Sequence, residues 1–84
     1  MNDALEIARV KIDVAQFLRR PPLNKFKEAL KYADEARILL ERSREEIVKK
    51  KGVEEYELEY ARSLNILGLI YYQGRNTSNP LPDI

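Results

Sequence analysis

The chain has 84 residues, 44% of them hydrophobic and 35% charged, with 15 basic residues against 14 acidic ones. A chain of this length has room for one modest core, and the composition is typical of a folded protein with a densely charged surface. The near balance of charge leaves no overall field that would attract nucleic acid or an anionic membrane. The absence of Cys and His excludes disulfides, thiolate nucleophiles, imidazole bases and the usual zinc ligands.

The sequence therefore predicts a protein that is not an enzyme. It contains no Gly-rich phosphate loop, nucleophile elbow or cluster of metal ligands, so we expect no catalytic residue, no cofactor, no metal and no small-molecule substrate. No apolar run approaches the roughly 20 residues that span a bilayer, and the first residues do not resemble an export signal. A cytoplasmic location is the corresponding expectation.

The first predicted helix covers residues 3–18. Its alanines favour a helix over the strand that the alternation near Ile12 would also allow. Arg19 and Arg20 complement the C-terminal end of the helix dipole, and Pro21-Pro22 ends the helix because proline lacks a backbone donor.

This helix is apolar on two adjoining faces, which is wider than a surface helix needs. One face can pack on the rest of the chain, and part of the remaining apolar surface is then free for another chain. The predicted partner-binding residues are Ile7, Val10, Val14 and Phe17. The alternative is that the first helix lies deep between its two neighbours.

The second predicted helix covers residues 24–51, with Asn24 as its N-cap and Gly52 after its end. One face is apolar through almost six turns. The residues of this face are Phe26, Ala29, Leu30, Ala33, Ala36, Leu40 and Ile47.

The third predicted helix covers residues 53–73, with Glu54 and Glu55 in its first turn and Gly74 after its end. Together with the second helix it should form an antiparallel hairpin. Residues 75–84 are predicted to be a flexible C-terminal tail. The apolar face of the third helix is formed by Val53, Tyr56, Tyr60, Leu64, Leu67 and Tyr71.

Two of the predicted helices resemble a known repeat. Ala61, Leu64, Leu67, Gly68 and Tyr71 follow a spacing of the kind L-x-x-L-G-x-x-Y, and the third helix therefore resembles the first helix of a tetratricopeptide repeat. The run 67–74 also resembles the Sel1-like relative of this family. The alanines of the second helix resemble those of the second helix of such a repeat, where small residues allow close packing.

The resemblance implies an all-α fold of about one and a half repeats, in which three antiparallel helices form a module for protein interaction. By analogy alone, its binding face on the third helix would carry Arg62, Asn65, Leu69, Tyr72 and Gln73. The first helix would add Arg9, Gln16 and Arg19. The alternative is that these are ordinary solvated residues, and a generic three-helix bundle or a domain similar to the microtubule-interacting and trafficking type also stays open.

The leading functional hypothesis is a module that binds a protein partner or itself through apolar helix surfaces, and a homo-oligomer is the natural form of self-association. One alternative is a nucleic-acid accessory protein that uses Arg19, Arg20 and the run 49–51 with exposed tyrosines. The other is a structural subunit of a larger helical assembly.

Overall fold

The computed structural model describes residues 3–75, and all regular structure in that range is α-helical, which confirms the predicted all-α class. The helices are α1 (Ala4–Arg19), α2 (Phe26–Arg42), α3 (Arg44–Lys51) and α4 (Val53–Arg75). None of these four helices is long and apolar enough to cross a membrane. The predicted tail lies outside the described residues, apart from Arg75, with which α4 ends one residue beyond Gly74.

The ends of α1 follow from its sequence. Asp3 is the N-cap, and its side chain accepts a hydrogen bond from the Leu5 backbone N–H at 3.0 Å. This hydrogen bond satisfies one of the free donors of the first turn, and it lowers the pKa of the Asp3 carboxyl. The helix ends at Arg19, just before the predicted Pro21-Pro22 stop.

The predicted N-cap of the second helix is wrong. The N-cap of α2 is Lys25, which makes no side-chain capping hydrogen bond. Asn24 has a φ of 48°, in the left-handed region that asparagine tolerates better than most residues. Asn24 therefore serves the chain reversal, after which the Lys25 N–H donates to the Leu18 carbonyl at 2.8 Å.

The helix predicted over residues 24–51 is divided at Ser43. The backbone of Ser43, at φ −104° and ψ 16°, leaves the helical region between α2 and α3. Serine offers the backbone alternative hydrogen bonds, which makes it a weak helix residue. After α3 the chain turns at Gly52, whose φ of 99° matches the predicted C-cap. Lys51 Nζ then lies 3.5 Å from Asp3 Oδ2, so α3 ends beside the start of α1.

The core forms where α1, α2 and α4 meet. The alanines at 29, 33 and 36 of α2 are fully buried, and such small side chains let helix axes approach closely. Lys11 of α1 pairs with Glu35 of α2 at 3.0 Å, consistent with antiparallel packing of these helices. The α1 contribution to the core is Leu5, Ala8, Ile12 and Ala15.

The predicted apolar face of the third helix is only half buried. Val53, Leu64 and Tyr71 are 44%, 46% and 45% exposed, although Tyr56 is buried and Tyr60 and Leu67 pack partly against the core. The innermost residues of α4 are instead Glu59, Ser63, Ile66 and Ile70. Glu59 lies on this inward face beside Ile66 and Ile70, and Arg9 of α1 supplies a cation next to it.

Candidate interaction surfaces

The first candidate surface lies on the outside of α1 and consists of Ile7, Val10, Val14 and Phe17, here called the α1 stripe. Steps of three and four residues place these side chains on one side of the helix. Val10 is 59% exposed and Phe17 67% exposed, whereas Ile7 and Val14 are partly buried. Because the core residues of α1 lie on its opposite side, the helix is apolar on two faces and does not lie deep between its neighbours.

An open groove of about 440 Å³ runs along the α1 stripe. Ile7, Val10 and Val14 form one wall, and Tyr32 of α2 lies on the other side. Lys11 Nζ lies 5.8 Å from the centre of the Tyr32 ring, within range of a cation–π interaction. The groove thus has an apolar floor, and the charged residues at its rim are Asp3, Glu6 and Lys11.

The second candidate surface, here called the α4 stripe, consists of Ala61, Leu64, Gly68 and Tyr71. All four residues are exposed. A Cβ atom added at Gly68 would meet no atom within 4 Å among the described residues, so the packing seen there does not require glycine. Glycine in a helix interior costs about 1 kcal/mol relative to alanine. The α4 stripe therefore combines the exposed apolar side chains of Leu64 and Tyr71 with the small residues Ala61 and Gly68, which allow another helix to approach closely.

A polar seam joins α1 to α4, and sequence reasoning missed it. Glu59 is 2% exposed and accepts hydrogen bonds from Arg9 Nε at 3.0 Å and from Arg62 Nη1 at 2.7 Å. Arg9 also contacts Glu55 at 3.2 Å, and Arg62 lies 3.5 Å from Asp13. The hydrogen bond to Glu59 is the main reason that the pKa of Arg9 is raised. The spacing of Glu59 and Arg62 signals a pair on one helix, but nothing local identifies Arg9.

The five residues predicted on α4 differ in their surroundings. Arg62 belongs to the seam, and Gln73 accepts a hydrogen bond from Arg19 Nη1 at 2.9 Å. Asn65 and Tyr72 are exposed, and Leu69 is partly buried. Of the α1 residues that the resemblance adds, Arg9 contacts Glu59 as described, and Gln16 accepts from Arg19 Nε at 3.0 Å.

The two basic clusters lie apart. Arg19 and Arg20 stand at the end of α1, whereas the run 49–51 ends beside Asp3 at its start. A helix of 16 residues is about 24 Å long, so the clusters are separated by roughly that distance. Tyr56 and Tyr60 stack on each other with ring centroids 5.8 Å apart, and Tyr56 is buried. The two basic clusters therefore do not form one continuous surface.

Within residues 3–75, no group of three or more acidic side chains is arranged to hold a metal ion. Comparison of the chain with family models, with curated proteins and with solved structures gives no match.

Proposed function

We propose that this chain is a non-catalytic interaction module that binds a protein partner or a second copy of itself through the α1 and α4 stripes. One observation carries the proposal: α1 presents one apolar face to the core and a second to solvent, where Val10 and Phe17 are 59% and 67% exposed. Removing apolar surface from water is favourable by roughly 25 cal/mol per Å². A partner that covers this face gains that free energy.

We propose in addition that the architecture is a tetratricopeptide-like bundle of about one and a half repeats. The α1–α2 pair supplies one repeat, and α4 is the opening helix of the next. Contacts of Arg9 with Glu59 and of Arg19 with Gln73 run along α1 and α4 in the same order, as expected for the first helices of successive repeats. The α4 stripe is then the face that the second helix of the incomplete repeat would cover, which accounts for Gly68 and Ala61.

Affinity capture from the native host, combined with light scattering, tests the function. The informative variant is Val10→Asp with Phe17→Asp, which places two charges on the α1 stripe. Leu58→Asp is the matched control, because Leu58 is 62% exposed on α4 and belongs to neither stripe. The wild type and the control should capture a protein or self-associate, and the α1 variant should do so much less, with all three retaining helical circular dichroism.

Two outcomes would refute the proposal. One is a wild-type chain that is monomeric at high concentration and captures no protein. The other concerns the α1 variant and a second variant, Leu64→Asp, which places a charge on the α4 stripe. If both variants capture as much protein as the Leu58→Asp control, the proposal is refuted.

A further inference from the structure

The α1 stripe has a spacing that is the same in both chain directions. From Ile7 through Val10 and Val14 to Phe17 the steps are three, four and three residues, so the stripe is symmetric about position 12. If two α1 helices pack antiparallel about that point, Ile7 faces Phe17 of the other copy and Val10 faces Val14. A two-fold interface requires such a self-complementary patch, because the same surface serves both subunits.

Resting on the proposed function, we infer that the occupant of the α1 stripe is a second copy of this chain, packed antiparallel along α1 about a two-fold axis near position 12. In this arrangement Phe17 of each copy packs against Ile7, at the end of the other copy's groove that Ile7 lines. The groove volume of about 440 Å³ is ample for a phenyl ring.

The charges of α1 favour the antiparallel orientation. Glu6 lies in the first turn, and Arg20 directly follows the last turn; both are exposed. In the two-fold pair Arg20, which directly follows the last residue of α1, lies at the same end of the interface as Glu6 of the second copy. The symmetry forms this pair twice. A parallel arrangement would instead place Glu6 near Glu6 and Arg20 near Arg20, and would align the helix dipoles unfavourably.

The size of the patch predicts a weak dimer. A helix of 16 residues is about 24 Å long and about 10 Å wide, so each copy buries roughly 240 Å². Stable interfaces bury about 800 Å² per partner. We therefore expect a weak, transient dimer that is visible only at high concentration.

Sedimentation equilibrium from about 10 μM to about 1 mM tests the inference. The mass should rise from 9.8 kDa towards twice that value with increasing concentration. Phe17→Asp should abolish the rise, and the matched Leu58→Asp should leave it unchanged. A rise that persists in Phe17→Asp would overturn the inference, since the dimer would then form elsewhere.

Charge reversal tests the orientation. Glu6→Arg and Arg20→Glu should each weaken the dimer by roughly threefold to tenfold at low salt, and the double variant should restore it, because exposed ion pairs contribute modestly and form twice here. Parallel pairing predicts neither the loss nor the restoration. If Arg at position 6 unfolds the chain, an equimolar mixture of Ile7→Cys and Phe17→Cys chains replaces this arm. The chain has no cysteine of its own, so a mixed disulfide in excess over both homodisulfides is expected, and an excess of homodisulfides would overturn the inference.

The results separate this inference from the proposed function. A chain that stays monomeric at about 1 mM but captures another protein in a Phe17-dependent way would refute the second copy as occupant and leave the interaction module intact. A chain that neither dimerises nor captures a protein would refute both.

Discussion

Replacing Gly68 with alanine should stabilise the isolated protein. Gly68 is exposed within α4, and a Cβ atom at this position would meet nothing within 4 Å. The change therefore adds no clash and removes the conformational entropy that glycine loses in a helix, worth about 0.8 to 1 kcal/mol. For a domain of this size, 1 kcal/mol corresponds to a rise of about 4 to 8 °C in the melting temperature.

Gly52 provides the matched control, because a Cβ there would also meet nothing within 4 Å. Its φ of 99° and ψ of 154°, however, lie in a region that is essentially restricted to glycine. Gly52→Ala should therefore destabilise the fold by about 1 to 3 kcal/mol, the opposite sign from Gly68→Ala. Thermal melts followed by circular dichroism at low concentration, with urea denaturation as a second measure, give both values.

A neutral or destabilising Gly68→Ala would refute the reasoning about the α4 stripe. It would mean that something already packs on Gly68 in the free protein. If glycine is present at position 68 so that another helix can approach closely, Gly68→Ala should stabilise the isolated chain. The same change should weaken the binding of a partner through α4.

Three further changes test the polar seam, an exposed hydrogen bond between α2 and α4, and the apolar core. Glu59→Gln should weaken the charged hydrogen bonds to Arg9 and Arg62. Because both arginines are about one-third exposed or more, we expect the free energy of unfolding to fall by only about 1 to 2 kcal/mol. An unchanged urea midpoint would show that the seam adds no stability. Tyr60→Phe removes the 2.6 Å hydrogen bond to Glu41, which together with Arg37 lowers the pKa of that carboxyl below its ordinary 4.5. A carboxyl whose pKa is lowered by folding stabilises the fold at pH values above its ordinary pKa, and this stabilisation is lost as the pH falls. The free energy of unfolding should therefore differ between wild type and Tyr60→Phe near neutral pH, and the difference should shrink below about pH 4.5. Urea midpoints at several pH values measure it. Ala33→Leu should cost about 1 to 3 kcal/mol by thermal melting, because Ala33 is fully buried in a core that has to move apart to admit the larger side chain.

The sequence predicts the fold class and the interior of α2 well. Its alanines recur at helical spacing on the same face as Phe26 and Leu40, and all of these are buried. The helix end before Pro21-Pro22 and the turn at Gly52 are also predicted. Proline restricts the backbone and glycine makes it more flexible, and both effects are local and independent of tertiary contacts.

The predictions that fail concern Asn24, Ser43 and Glu59. At Asn24 and Glu59, contacts with distant parts of the chain determine the local structure. Asn24 is a good N-cap residue, but its backbone serves a reversal whose hydrogen bond goes to Leu18. Ser43 interrupts a pattern that local periodicity would continue as one helix. Glu59 is buried only because Arg9 is placed beside it by the packing of α1, and a charged residue would otherwise be assigned to the surface.

The rotation of α4 links the internal packing to the unused surface. Glu59, Ile66 and Ile70 share the buried face of α4, which leaves Leu64 and Tyr71 on the outside. The α4 stripe lies on the face of α4 that points away from Glu59, and on a different helix from the α1 stripe. A dimer joined through α1 would therefore carry two α4 stripes, one on each copy. If both stripes bind as proposed, we expect Val10→Asp with Phe17→Asp to disrupt the first surface and Leu64→Asp to disrupt the second, each without the other.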